Sequence, residues 1–259
     1  MKLLLVTLLL FSSLSRAETT LVLAADHWCT YNCAPEAEQP GYLIEFAREV
    51  AKANGYQLEY RLLPWSRALE LARRGEINGV VGATATNGVE LNLGGEAAGM
   101  DVTVAGLRPG IQAPASLSKD LKELDPLRLG FIQKYTYDNG GIIDRYVLSR
   151  RLKRPDSVVM VAGTEGLAEL LALSRQQRID LLFENEAVLR HCQLGEAQPL
   201  TIVATGAAAP IYFGFSPNDE GRGWAAVFDA ALTKAREDGS LAKLLAKYGL
   251  QPWWPNASP

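Results

Sequence analysis

Short apolar runs alternate with stretches of helical spacing along most of this chain, and each alternation predicts an element. TLVLAA at residues 20–25 is an apolar run suited to a buried strand. Residues 40–54 then place Leu43, Phe46, Ala47, Val50 and Ala51 at helical spacing, ending at Gly55. YQLEYRLL at 56–63 alternates in the manner of a strand, Ser66 is placed to cap a short helix ending at Gly75, and GVVGAT at 79–84 is a further short strand. The order β-α-β-α-β predicts a parallel sheet with right-handed crossovers and helices covering its faces.

After Pro109 the texture turns irregular through QAPASLSKD, and then the alternation resumes. LRLGFI at 127–132, SVVMVA at 157–162 and IDLLF at 179–183 predict strands, with helices over 142–152 and 164–175. PLTIVA at 199–204 and PIYFGF at 210–215 read as two more strands, followed by helices over 224–237 and 240–248. Segments 103–109 and 209–216 are expected to carry the chain between two lobes. The expected organisation is a signal peptide at 1–17, the first part of lobe 1 at 18–108, lobe 2 at 109–208, and a return strand with C-terminal helices on lobe 1 at 209–259. The fold class is therefore α/β with two lobes, each a mostly parallel sheet with helices on both faces, joined by a two-strand hinge.

The long apolar run LLLVTLLLF covers residues 3–11, well short of the about 20 residues that span a bilayer as a helix. Lys2 precedes it, and Ser15-Arg16-Ala17 offers small residues at a cleavage position, so a secretory signal cut after Ala17 is expected. No cysteine stands at the cut to take a lipid, and the mature chain is expected in the periplasm. Its 259 residues are 48% hydrophobic and 21% charged, an ordinary globular composition. Lys and Arg number 26 against 29 Asp and Glu, a net charge of -3. Without Lys2 and Arg16 the mature chain carries 24 against 29, or -5, which provides no field to collect nucleic acid.

Ligands of open α/β sheets sit beyond the carboxyl ends of the strands, which selects the residues to inspect. In the first lobe these are Asp26, Trp28 and Tyr31, then Pro64, Trp65 and Arg67, then residues 82–86 with Thr84 and Thr86. In the second they are Lys134, Tyr135, Thr136 and Tyr137, residues 163–165, and Glu184 with Asn185. Two such edges facing each other describe a closing cleft for a small polar molecule. Trp65 would stack on a ligand or staple its helix to the sheet; Arg67 would grip the ligand or pair with Glu70. Glu184 and Glu186, two apart at a strand end, are not expected to meet at one substrate as an acid-base pair, and one of them is expected to reach the cleft.

Cys29 and Cys33, four apart in an exported chain, are expected to be disulfide-bonded. With His27 they also form H-x-C-x3-C, part of a metal site that would need His191 or Cys192 to complete it, and these are expected on the far side of the second lobe. Cys192 is read as a buried free thiol, and no metal or other cofactor is assigned. The sequon at Asn256 carries no chemistry in this reading.

Through GYLIEFAREVAKANG, PWSRALELARRGEINGVVGAT, QRIDLLFENEAVL and DGSLAKLLAKYGL the mature chain resembles the bacterial extracellular solute-binding proteins of family 3, of the type II periplasmic binding fold. The resemblance implies closure of two lobes over one solute, and a monomer that delivers it to an ABC-type permease or a membrane sensor. Amino-acid binders of that family follow the third strand with a pattern like GMTITPER, whose arginine grips the ligand carboxylate. Here the stretch is GATATNGVE, and Val89 stands at the arginine position. Counting five residues from Asp180 reaches Asn185 where those binders place the aspartate for the ligand ammonium. Ordinary α-amino acids are therefore expected to bind weakly, with Arg67 or Lys134 as the candidate replacement cation. The PWSRA and KYTY segments resemble a less characterised branch of the family. An enzyme on the same scaffold, similar to the cyclohexadienyl dehydratases, is the alternative.

Overall fold

The computed structural model describes residues 19–255; the expected signal peptide and the Asn256 sequon lie outside them. The first parallel layer is β1 (Thr19–Ala25), α1 (Tyr42–Ala53), β2 (Tyr56–Leu62), α2 (Trp65–Arg73) and β3 (Gly79–Ala83), with the short β4 (Asn92–Leu93) after it. The chain crosses on β5 (Gly99–Leu107) to a second layer: β6 (Leu129–Ile132), α3 (Ile142–Lys153), β7 (Val158–Val161), α4 (Gly166–Arg175), β8 (Leu181–Asn185) and α5 (Glu186–Cys192). It returns on β9 (Thr201–Phe215) and ends with α6 (Asp219–Glu237) and α7 (Ser240–Lys247).

The strand order is β2-β1-β3-β9-β5-β8-β6-β7, with β4 on β9. β1 pairs parallel with β2 and β3, and β6 pairs parallel with β7 and β8, as helical crossovers require. The long strands β5 and β9 run antiparallel from Gly99↔Ile211 to Leu107↔Thr201 and form the two-strand hinge. One end of β9 pairs with β3 in the first sheet, while β5 pairs with β8 in the second. The hinge register slips between Thr103 and Val104, where Thr205 and Gly206 bulge out of the ladder. Gly206 takes φ 73°, a conformation that a side chain would strain.

Sequence patterns explain most of these elements and the structure corrects several. The apolar stripe of α1 buries Leu43, Phe46, Ala47 and Val50 against β9 and α6, where Phe213, Phe215 and Phe228 cluster with ring centroids 4.6 and 5.0 Å apart. Each such fully buried ring contributes about 1.5 to 3 kcal/mol. The segments expected as two strands at 199–204 and 210–215 are one continuous strand, because both halves pair with β5 across the hinge. α2 starts at Trp65 behind Pro64, so Ser66 is its second residue rather than its cap. α6 starts at Asp219, before the expected 224, because the Asn218 side chain accepts from the Gly221 N–H at 2.7 Å.

In the second lobe Asp180 binds Arg128 through two hydrogen bonds of 2.8 and 2.9 Å and Arg108 through one of 2.6 Å. These guanidinium groups hold its carboxyl well below the usual range. The arrangement ties the end of β5 to the turns that open β6 and β8.

Candidate functional site

The sheet edges meet around a cavity of about 40 Å³. That is room for a few water molecules in this arrangement of the lobes. From the first lobe come Asp26, Trp28, Asn32, Trp65, Gly82 and Thr84; Tyr135, Tyr137 and Glu184 come from the second, and Asp101 from the hinge. Gly82 sits at φ 87° where β3 slips its register against β9, turning the strand end toward the cavity.

The loop after β1 is built to hold its polar groups still. Cys29 and Cys33 are disulfide-bonded, and Trp28 and Asn32 exchange backbone hydrogen bonds of 2.8 and 2.9 Å across that ring. The Asn32 amide also donates to the Asp26 carbonyl at 2.6 Å, and the Trp28 and Tyr31 rings lie 4.3 Å apart.

Hydrogen bonds join the two lobes across the cleft. Trp28 Nε1 donates to Glu184 Oε1 at 2.7 Å, and the Tyr135 hydroxyl donates to Asp26 Oδ2 at 2.6 Å. The Thr84 and Thr136 hydroxyls share a bond of 2.8 Å. Both the Thr86 N–H and its hydroxyl donate to Asn139 Oδ1. At the rim the His27 ring meets Glu165 at 3.0 Å, and the His27 N–H donates to the Thr164 carbonyl at 2.9 Å.

Three carboxyl groups converge here, and among the described residues no Lys, Arg or His lines the cavity with them. Burial pushes Asp26 and Asp101 up to about 7 and Glu184 up to about 8, because the surrounding apolar volume disfavours the charged form. Hydrogen bonds from Tyr135, Asn185 and Trp28 oppose that rise without cancelling it. Glu184 Oε2 and Asn32 Oδ1 are buried acceptors with no hydrogen-bond partner.

No family model matches this chain, and no curated protein matches it in sequence. Solved structures match it in shape. An ancestral arginine-binding protein bound to glutamine superposes with a TM-score of 0.72 at 16% identity, over 89% of this chain and 98% of that one. A histidine kinase sensor domain with similarity to periplasmic binding proteins gives 0.71 at 19% identity, covering 91% and 99%. The ancestral amino acid-binding protein AncCDT-1, a precursor of cyclohexadienyl dehydratase, gives 0.67 at 15%, covering 88% and 95%. The chain has the type II periplasmic binding fold.

Within that fold the expected site residues fall into three groups. Trp28, Trp65, Thr84, Tyr135, Thr136, Tyr137 and Glu184 line the interlobe cavity. Tyr31 and Asn185 stand directly behind it. Asn185 Oδ1 caps α5 through the Ala187 and Val188 N–H groups, and its amide donates to Tyr31 and to Asp101 at 3.2 and 3.0 Å. Its side chain is thus fully engaged with the protein, and the carboxylate it serves is Asp101. Thr86, Lys134 and Arg67 lie outside the cavity. Thr86 joins the lobes through Asn139, Lys134 lines an outer groove with Arg73 and Arg151, and Arg67, half exposed, pairs with Glu70 at 3.1 Å.

Val89 is 74% exposed and places nothing in the cleft. Glu184 is buried while Glu186, partly exposed, pairs with Arg190; two residues apart in a strand they would share a face, and they part because α5 begins at Glu186. His191, expected on the far side of the second lobe, instead shares a groove with Cys29 and Cys33, because α5 packs beside the loop after β1. Cys192 is half-buried rather than buried. Asp101 was not foreseen, and its only sequence signal is a lone charge inside the apolar strand GMDVTVAGL.

Proposed function

We propose that this protein is a periplasmic solute-binding protein that captures one small polar molecule between its lobes and presents it to an ABC-type permease or a membrane sensor. The observation that carries this reading is a cavity walled by both sheets and by the hinge strand, so that opening and closing the lobes opens and closes the site. Among the described residues no helix is long and apolar enough to cross a membrane. The two families of partner, transporter and sensor, are both represented among proteins of similar shape, which include the substrate-binding protein of an amino acid ABC transporter.

The solute is not an ordinary α-amino acid in this reading. The position that would hold an arginine clamp carries the exposed Val89, and among the described residues no cation replaces it in the cavity lining. The Thr84 N–H, which could otherwise face an anion, donates to Asn87 Oδ1 at 2.8 Å. Isothermal titration with a library of small polar molecules tests the proposal, and one saturable solute at one copy per chain is the expected result.

A second reading is an enzyme of the cyclohexadienyl dehydratase type. Glu184, a carboxyl pushed up to about 8, has the protonation behaviour of a general acid. The lack of a cation to hold a carboxylated ring substrate counts against it. Assaying prephenate and arogenate dehydration separates the two, and turnover of either would replace the binding reading.

A further inference from the structure

The interlobe cavity is a site of unusual polarity. Asp26 follows β1, Asp101 lies in the hinge and Glu184 stands near the end of β8, so each lobe and the hinge between them contribute a carboxyl group. All three are at least nine-tenths buried. Burying like charges together is unfavourable unless something of opposite sign joins them or protons neutralise them.

Two further observations point to the same kind of ligand. Glu184 Oε2, on a residue 2% exposed that lines the cavity, is without a hydrogen-bond partner, whereas Asn32 Oδ1, also unpaired, has the unpaired Tyr60 hydroxyl beside it. An acceptor left unpaired in a buried place favours an N–H or O–H brought by the ligand. The aromatic rings of Trp28, Trp65, Tyr135 and Tyr137 surround the same space, and aromatic faces attract cations. The groups that would hold an anion are turned elsewhere: Arg67 to Glu70, the Thr84 N–H to Asn87, and the Thr86 N–H to Asn139.

We propose that the cleft takes an organic cation that carries N–H donors and no carboxylate, a primary ammonium or guanidinium compound. This rests on the solute-binding reading above and supplies its ligand class. The ammonium or guanidinium hydrogens meet Glu184 Oε2, the ligand charge faces Asp26 and Asp101, and its carbon chain lies against the rings. A ligand carboxylate would enter a space lined by three carboxyl groups, with no Lys, Arg or His among the described residues there to pair with it, and would be buried without a charge partner.

Because Asp26, Asp101 and Glu184 hold protons near neutral pH, a bound cation displaces some of them into the buffer. The titratable groups around them are Tyr31, Tyr60, Tyr135, Tyr137, Asp144, Glu165 and Cys192, with His27 paired to Glu165 at the rim. None of these supplies a cation inside the cavity.

The test uses the mature protein and matched pairs that differ only by a carboxylate: agmatine against arginine, putrescine against ornithine, with choline as a cation lacking N–H donors and glutamate as an anion. Isothermal titration in two buffers of different ionisation enthalpy should find at least one decarboxylated member binding about a hundredfold tighter than its partner and than choline, with proton release on binding. Glu184→Gln combined with Asp101→Asn should erase that preference. If the double variant fails to fold, the matched-pair ratio of the wild-type protein decides alone. Equal or tighter binding of the carboxylated partners, or of glutamate, would overturn the cation assignment and leave solute binding standing. Absence of binding by every probe would overturn the cation assignment, and solute binding would then stand or fall on the library titration.

Discussion

Replacing Glu184 with Gln removes a group whose protonation differs between the folded and unfolded chain, which makes the effect on stability depend on pH in a calculable way. Burial raises this carboxyl from 4.5 to about 8 in the folded state. Between those values the folded protein binds a proton that the unfolded chain releases, so wild-type stability falls as pH rises, by about 1.4 kcal/mol per pH unit. The contribution is fully present below the unfolded value and is lost as pH passes about 8. Glu184→Gln has no such proton to lose. It can still accept from Trp28 Nε1, so the packing difference between the two proteins is a constant offset. The stability of the variant relative to wild type should therefore increase by roughly 3 kcal/mol between about pH 5 and about pH 8. Urea unfolding of both proteins without added solute, at matched ionic strength, measures this. A difference independent of pH would show that Glu184 titrates as an ordinary exposed carboxylate, and the electrostatic account of the cleft would fail.

Further expectations follow from other side chains. Arg67→Ala should leave solute affinity and melting temperature nearly unchanged, because an exposed pair such as Arg67 with Glu70 is worth about 0 to 1 kcal/mol; loss of binding would restore Arg67 as the anchor. A thiol reagent under denaturing conditions should find one reactive cysteine before reduction and three after, since Cys29 and Cys33 are bonded and Cys192 is free; three before reduction would contradict the pairing. Arg150→Met should destabilise the second lobe by about 2 to 4 kcal/mol in urea unfolding, because the buried guanidinium donates to the Leu124 and Leu127 carbonyls and the Tyr146 and Ser157 hydroxyls. A loss under about 0.5 kcal/mol would mean that those acceptors are satisfied without it.

The elements whose own residues carry the pattern were legible in the sequence. α1, β2, β3 and α7 lie within a residue or two of the ranges expected from their spacing. What pairing decides was less visible. The stretch Thr205-Gly206-Ala207-Ala208-Ala209 reads as a break, yet β9 continues through it because β5 supplies partners on both sides of the bulge. α5 was missed because it is seven residues long and begins directly after β8, with Asn185 serving both elements. At the site, aromatic and hydroxyl groups at strand ends were foreseen because topology places them there. The acidity of the cavity was not, since Asp101 lies in a crossing strand and its meeting with Asp26 and Glu184 exists only once two lobes close. Arg67 and Lys134 were attractive for their charge, and a side chain's choice between cleft and solvent depends on packing that spacing does not encode.

Native mass spectrometry of the protein purified from the periplasm of the cells that express it tests the central claim most directly. The account predicts one small molecule retained per chain, identified on fragmentation as a basic nitrogen compound without a carboxylate, and lost from the Glu184→Gln, Asp101→Asn protein. A retained carboxylic acid or amino acid, or a solute held undiminished by that double variant, would contradict it.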